Sequence, residues 1–282
     1  MREKIADPRD GGKPSPKIPW ERWHFHGAPL FAGRECGKLA GMSATRDPIL
    51  QQLQSELRRQ ADPARAVIAR RFFKTGPGEY GAGDQFLGLT VPQLRTLAKQ
   101  YRALPIRETY QLLRSPIHEE RLLALLLLVQ AFQAGPADVQ ENIYRRYLRS
   151  TKFINNWDLV DSSAEQIVGA FLRERSRLPL LPLARSPSLW ERRIAILATF
   201  HFIKRGEFIP TLRIARLLLR DQEDLIHKAT GWMLREVGNR SRPTLETFLR
   251  QHYRPMPRTM LRYAIERLPE PRRQAYLKGT IH

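Results

Sequence analysis

Apolar residues recur at the three- and four-residue spacing of amphipathic helices from residue 47 onward, and no stretch alternates as a half-buried strand would. A long irregular loop, residues 74–90, interrupts the pattern. The predicted helices cover residues 47–60, 62–73, 91–102, 107–114, 116–133, 138–149, 157–173, 188–204, 210–219, 222–237, 243–253 and 257–267. The sequence therefore predicts an all-α fold.

Helix start and stop signals accompany this pattern. They are two capping boxes, a Ser-Pro helix start and a glycine helix end: Thr90 with Gln93, Ser188 with Glu191, Ser115 with Pro116, and Gly238. The apolar run 122–129 is too short to span a bilayer and is typical of a buried helix. Short turns between such helices favour antiparallel pairs.

Three tryptophans suggest a repeat. Trp157, Trp190 and Trp232 lie on successive helix pairs, 33 and 42 residues apart. This spacing suits two-helix repeats of roughly 40–47 residues. The prediction is a superhelical solenoid of stacked antiparallel pairs, of the HEAT-like or ARM-like type. An irregular all-α bundle is the alternative, because no strict consensus recurs.

Residues 1–41 differ from the rest of the chain. They contain five prolines and several glycines and show no sustained periodicity, which predicts disorder. Met42 begins a stretch that leads directly into the first amphipathic helix. Two interpretations stay open, translation from Met1 and translation from Met42 with a mistaken upstream extension. Residues 42–282 are predicted to form a single domain.

The chain is strongly basic, with 48 Lys and Arg against 28 Asp and Glu and a formal net charge of +20. Residues 43–282 carry +17 of this excess, so the predicted domain itself is the basic part. Such a charge indicates a polyanionic partner, and nucleic acid fits better than a membrane. A ribosome-associated or merely basic protein is the alternative.

Metal and disulfide chemistry find little support. The single Cys36 excludes an intramolecular disulfide framework and a cysteine-based zinc site. His24 and His26 are too isolated to indicate a metal. We expect no metal and no cofactor. The N-terminus has no apolar leader, so we expect a soluble, cytoplasmic protein.

The candidate chemistry lies in the segment 153–172. Asn156 suits a helix N-cap, and Asp158 in the first turn complements the helix dipole. Trp157 and Asp161 are four residues apart and share a face beside the core stripe. Asp161 is too far along for capping, and an indole beside a carboxylate suits a cleft that receives a cation. A solvated Asp161 beside a packing Trp157 is the other interpretation.

Two later helices add candidates. Arg193 is either an exposed surface charge or a clamp for phosphate, which its forked donors suit. Trp232 lies at the flank of a core stripe, where a tryptophan is more often packed than ligand-facing. Taken alone, these residues leave both interpretations open.

The motifs NNWDLVDSSA, LWERRIAIL and HKATGWMLREVG, in this order, resemble the DNA alkylation repair enzyme family, the AlkD-like DNA glycosylases. The upstream segment FFKTGPGEYGAGDQFLGLTVPQLRTLAKQY is similar to the N-terminal signature of that family. The resemblance covers residues 50–270. It implies a superhelix of HEAT-like repeats that excises cationic alkylated purines, of the 3-methyladenine and 7-methylguanine type, from duplex DNA.

The resemblance also implies the site. Asp161 matches the catalytic carboxylate, which would stabilise an oxocarbenium-like sugar and position water. The residues that match its substrate-binding wall, or are further candidates for DNA contact, are Trp157, Arg193, Trp232, Tyr80, Arg192 and Arg235. Arg192 adjoins Arg193, so the choice between them as phosphate clamp stays open.

The implied partner is double-stranded DNA carrying alkylated purines, bound by a monomer associated with the nucleoid and not with a membrane. Lesion preference, and whether the base is flipped out of the duplex, stay open. Two rival functions remain: a non-enzymatic HEAT-like scaffold for nucleic acid or protein, and an interaction protein with an acidic partner. Asp161 discriminates between them, because a scaffold does not need that carboxylate.

Overall fold

The computed structural model describes residues 47–281, which belong to one unit, Met42–His282. This part is all-α, and it contains no β-strand, only an isolated bridge between Gln85 and Ile117. The prediction for residues 1–41 lies outside the described residues. The helices are α1 Pro48–Arg59, α2 Pro63–Phe72, α3 Val91–Gln100, α4 Ile106–Leu112, α5 His118–Ala134, α6 Ala137–Arg149, α7 Trp157–Asp161, α8 Leu180–Ala184, α9 Leu189–Ala198, α10 Phe200–Ile203, α11 Ile209–Leu217, α12 Asp224–Arg240, α13 Arg242–His252, α14 Arg258–Ala264 and α15 Glu270–Lys278.

The helices pack mainly on close neighbours in the chain, as in a helical-repeat solenoid. The two 17-residue helices, α5 and α12, are the central ones: α3 and α4 pack on α5, and α9, α13 and α14 pack on α12. The run 122–129 of α5 is buried on every side, as its composition predicts. The all-α solenoid class is thereby confirmed. Within the described range, no helix has the length and apolarity needed to cross a membrane.

Of the four predicted helix signals, one is confirmed, one is confirmed in part and two are wrong. Gln93 accepts a hydrogen bond from the Thr90 amide, which completes that capping box. Ser188 caps α9 through the Glu191 amide, but the Glu191 side chain accepts from Thr151 instead of returning a bond to Ser188. The helix α5 starts two residues later than expected, with Ile117 as its N-cap. Gly238 lies inside α12 rather than after its end. A side chain at Gly238 would collide with Leu245, so close packing explains this glycine.

The segment predicted as one helix over 157–173 is broken. The α-helical hydrogen bonding of α7 ends at Asp161, and a π-helical turn, Glu165–Gly169, follows. The hydroxyls of Ser162 and Ser163 both bond back to the Leu159 carbonyl, a pattern that disturbs helices. Asp161 therefore lies at an irregularity of the backbone, a type of location where functional groups are often found.

Two helices fall outside the predicted spans. One is α8, whose five residues include a proline, and the other is α15, whose sequence EPRRQAYLK has a weak apolar stripe. The predicted span 188–204 is divided into α9 and α10 at Thr199, whose hydroxyl bonds to the Ile196 carbonyl. These differences affect boundaries and leave the fold class unchanged.

Candidate functional site

The first turn of α7 is fixed by Asn156. Its side chain is fully buried, and its Oδ1 accepts a hydrogen bond of 2.8 Å from the Trp157 amide, which confirms the predicted N-cap. Because α7 is only five residues long, this cap and the packing around it set the positions of Trp157, Asp158 and Asp161.

Asp161 forms a bidentate ion pair with Arg193 of α9. Arg193 Nε lies 2.8 Å from Asp161 Oδ1, and Arg193 Nη2 lies 2.7 Å from Asp161 Oδ2. Arg193 Nη1 donates to the Leu225 carbonyl at 2.6 Å, at the start of α12. The carboxylate is therefore held where α7, α9 and α12 meet. The Arg193 side chain is 6% exposed, whereas that of Asp161 remains 20% exposed.

The electrostatics of Asp161 combine two opposing effects. Burial raises the pKa of the Asp161 carboxyl above its ordinary value, because it outweighs the charge and hydrogen bonds of Arg193, which act to lower the pKa. The two bonds to Arg193 use one lone pair on each oxygen, so each oxygen keeps acceptor capacity. An oriented carboxylate with one open side is suited to stabilising a nearby positive charge or holding a water.

Trp157 belongs to an aromatic cluster. Its ring stacks on Phe73 with centroids 5.4 Å apart, and Phe72 meets it edge-on at 5.8 Å. Tyr80 meets Trp190 edge-on at 5.8 Å. Burial raises the pKa of the Tyr80 hydroxyl, while the Trp157 indole acts to lower it, and the hydroxyl stays protonated at neutral pH. The loop 74–90 thus reaches the start of α7 through Tyr80.

A hollow of about 540 Å³ opens beside this cluster. This volume lies within the usual range of ligand sites, roughly 300–1,000 Å³. Tyr80 and Trp190 supply its aromatic wall, and two carboxylates lie among its other groups. The lining residues are Lys74, Gly78, Glu79, Tyr80, Leu189, Trp190 and Glu223.

Asp158 has partners that the sequence did not indicate. As expected for a first-turn residue, its Oδ1 accepts from the Leu159 amide at 2.9 Å. Its Oδ2 lies 2.8 Å from Nε2 of His118, whose Nδ1 lies 3.0 Å from Asp84 Oδ2. Arg121 completes the group with a bond of 2.7 Å to Asp84. The dipole role predicted for Asp158 is therefore incomplete, because the residue also belongs to a buried ionic network.

This network keeps His118 protonated. Burial alone would lower the pKa of His118, but the charge of Asp158 and the hydrogen bonds to Asp158 and Asp84 outweigh it and raise the pKa to about 9. For Asp84, burial alone would raise the pKa, but His118 and Arg121 outweigh it and lower the pKa. The His118 ring also packs on Phe73 at 4.7 Å, so it contacts the aromatic neighbour of Trp157.

The two arginines predicted beside Arg193 have structural partners. Arg192 bonds to Asp221 at 2.6 and 3.2 Å and to the carbonyls of Ser186 and Pro187. Arg235 is 2% exposed and forms an ion pair with Glu266. Arg235 is buried and Arg192 is 16% exposed, so both guanidinium groups are mainly engaged within the fold, and their contact with DNA stays a prediction. Donors of Arg193 are directed to Asp161 and to the Leu225 carbonyl, and its contact with a phosphate stays a prediction.

Trp232 is half-buried on α12, and its ring lies 5.9 Å from that of Phe200. It follows Leu225, the carbonyl partner of Arg193, by two helical turns, so both residues lie on the same side of α12. The structure thus brings together Tyr80, Trp157, Asp161 and Arg193, and it places Trp232 on the adjoining helix. Between residues 47 and 281, no cluster of His, Cys, Asp and Glu is arranged to hold a metal ion.

Comparisons with known proteins agree with the motifs. No curated protein matches the chain. A solved structure from Enterococcus faecalis, described as a predicted DNA alkylation repair enzyme, has a similar fold: TM-score 0.57 and 18% sequence identity, covering 75% of this chain and 98% of that chain. The sequence profile of DNA alkylation repair enzymes matches residues 53–268. The chain therefore belongs to the DNA alkylation repair enzyme family.

Proposed function

We propose that the chain hydrolyses the N-glycosidic bond of cationic alkylated purines, such as 3-methyladenine and 7-methylguanine, in duplex DNA. The observation that carries the proposal is the carboxylate of Asp161, held in one orientation by Arg193 and still partly exposed. It lies one helical turn from Trp157, whose ring suits a cationic base.

The chemistry of the lesion explains why one carboxylate is enough. Alkylation at a ring nitrogen makes the purine cationic and a good leaving group, so no strong general acid is needed. The sugar becomes oxocarbenium-like as the bond breaks. Asp161 stabilises that charge and positions the attacking water. A preorganised group of this kind lowers the activation free energy by about 3–4 kcal/mol.

Arg193 acts as a positioning residue. It orients Asp161 through two bonds and is itself held by the Leu225 carbonyl. Its charge also favours the ionised form of the carboxyl, which the mechanism requires and which burial opposes. A lysine at position 193 could not form both bonds, because a single ammonium lacks the planar fork.

Aromatic side chains recognise the lesion. Trp157 is stacked on Phe73 and interacts with Tyr80, so its ring is preoriented. An indole face over a desolvated cation contributes up to about 2 kcal/mol. Trp232, on the adjoining helix, is the second candidate aromatic of the site. The excess of positive charge in the domain attracts DNA. One monomer carries every group that the site uses.

The test is release of purines from duplex DNA treated with a methylating agent, compared with untreated duplex. The wild-type chain should release 7-methylguanine or 3-methyladenine, and the Asp161→Asn variant should bind DNA but release base slowly. Release at the wild-type rate by Asp161→Asn would remove the catalytic role and favour a DNA-binding scaffold.

A further inference from the structure

A second hollow, of about 310 Å³, lies beside the start of α5. Three segments form it: the loop around Asp84, the turn that precedes α5, and the 3₁₀ turn Thr151–Phe153 that precedes α7. The lining residues are Ala82, Gly83, Asp84, Arg114, Ser115, Pro116, Arg121, Lys152, Phe153 and Asn155.

Two exposed cations at this hollow are held by an aromatic ring rather than by acids. Lys152 Nζ lies 4.9 Å from the centroid of Phe153, and Arg114 Cζ lies 6.0 Å from it. Neither Arg114 nor Lys152 forms an ion pair with a carboxylate of residues 47–281. A π face orients a cation without neutralising it. Both charges therefore stay available to an anion.

The one carboxylate in the wall, Asp84, is already compensated. It pairs with Arg121 at 2.7 Å and with the protonated His118 at 3.0 Å. Arg121 is 4% exposed and also donates to the Ser115 carbonyl, while its Nε has no hydrogen-bond partner in the described part of the chain. The hollow is thus lined by uncompensated positive charge, and one of its lining side chains, Arg121, keeps a buried donor without a partner among the described residues.

We propose that this hollow binds a phosphate of the DNA backbone, with Arg114 and Lys152 as its ligands. The inference deepens the proposed function, because it places a DNA contact beside the candidate active site. Asn155 of the hollow precedes Trp157 by two residues, and Asp84 follows Tyr80 by four. Both walls therefore continue directly into the aromatic cluster.

The chemistry of the hollow favours a phosphate over a base. The Phe153 ring is the only aromatic group among its lining residues, and the two cations already lie over it. An ammonium and a forked guanidinium are the usual partners of phosphate oxygens. The wall is also linked to α7, because His118 joins Asp84 of the hollow to Asp158. A phosphate held here would be connected through Asp84 and His118 to α7, the helix that carries Asp161.

The test is the salt dependence of binding to undamaged duplex DNA. In the double variant Arg114→Gln/Lys152→Gln, the log–log salt slope should fall by about one unit, the value for one lost phosphate contact. The matched control, Lys99→Gln/Arg107→Gln, removes the same charges from two exposed positions that do not line the hollow. It should change the slope by clearly less. An unchanged slope in the first variant, or an equal change in the control, overturns the proposal.

Two further measurements complete the test. The charge-keeping variant Arg114→Lys/Lys152→Arg should restore most of the slope. The melting temperature in inorganic phosphate, compared with that in chloride at equal ionic strength, tests whether the hollow binds a free phosphate ion instead of a DNA phosphate. If inorganic phosphate stabilises the wild type but not Arg114→Gln/Lys152→Gln, while their DNA slopes agree, the hollow holds a free anion and the DNA assignment fails. None of these results depends on base release, so the hollow and the role of Asp161 can fail separately.

Discussion

The two aspartates of α7 lie three residues apart and have opposite surroundings. Asp158 is buried between the Leu159 amide and His118, and the network continues through Asp84 to Arg121. Asp161 has a single bidentate partner, and part of its carboxylate is exposed. Each acid faces a cation from a different helix, α5 in one case and α9 in the other.

This difference separates an aspartate that stabilises the fold from one that can act on a ligand. A carboxylate buried against its partners, as that of Asp158 is with 10% of its side chain exposed, is poorly accessible to a substrate. A carboxylate held on one side and open on the other can act on a ligand without losing its orientation. The two regions meet at Phe73, whose ring packs on both His118 and Trp157. We therefore expect damage to the Asp158 region to appear in stability and damage to the Asp161 region to appear in rate.

The largest effect is expected from His118→Leu. The substitution leaves Asp158 buried without its cationic partner, and breaking a buried ion pair in this way costs about 3–5 kcal/mol. The free energy of unfolding, measured by denaturant titration, should fall by that amount. Base release by the fraction that stays folded should change much less.

The matched control is His252→Leu. His252 is partly buried against Phe248, and its Nε2 has no hydrogen-bond partner within the described residues. His252→Leu should lower the free energy of unfolding by much less than His118→Leu does. If the two variants are equally stable, the network around His118 does not hold α7.

Sequence patterns predict the Asp161 region better than the Asp158 region. The N-cap Asn156 and the four-residue spacing of Trp157 and Asp161 are local, and local patterns can be interpreted without a structure. The side-chain partner of Asp158, His118, is 40 residues away, and Asp84 on the other side of His118 is 34 residues from that histidine. No helical period predicts which side chains meet at such distances. One signal was available: α5 opens with the polar residues HEER directly before its most apolar run. Polar residues at the start of a buried helix need partners.

The fold shows the same division between local and distant information. The all-α class follows from periodicity, because each helix buries its own stripe. The break after Asp161 does not, because it depends on Ser162 and Ser163 bonding back to the helix and on Gly169 approaching α9. The partner of Arg193 could not be predicted for a related reason. Its residue type was informative, but only the structure shows that two of its donors face the Asp161 carboxylate, and a contact with phosphate stays a prediction.

The next largest effect concerns the Asp161 region. Asp161→Asn keeps size and most of the packing but removes the charge, and single-turnover release of 7-methylguanine should slow by about 10²–10³-fold. Affinity for duplex should hold or rise, because a negative charge facing phosphates is lost. Asp224→Asn removes an exposed acid of α12 and serves as the control, with an unchanged rate. Equal rates for Asp161→Asn and the control would contradict the catalytic assignment.

A pH effect of somewhat smaller size should distinguish the Asp158 region. The pKa of His118 is raised to about 9 in the folded chain, above its unfolded value of 6.5. Its stabilising contribution is therefore complete below pH 6.5 and is lost as the pH rises through 9, which corresponds to about 3 kcal/mol. Unfolding free energies measured from pH 6 to 10 should show this decline in the wild type. The decline attributable to His118 should be missing from His118→Leu, and parallel curves would show that His118 is not protonated.

The smallest effect concerns Trp157, which packs on Phe73, the residue where the two regions meet. In Trp157→Leu the indole face is lost, and discrimination between a duplex with 7-methylguanine and an undamaged duplex should fall by up to about 2 kcal/mol. The measurement is the ratio of the two affinities in an Asp161→Asn background, where the lesion persists during binding. Trp157→Phe is the control, because a phenyl ring keeps the stack on Phe73 and part of the cation–π attraction, so it should recover part of the ratio. If leucine and phenylalanine give the wild-type ratio, Trp157 only packs, and recognition of the cationic base must come from other groups of the site.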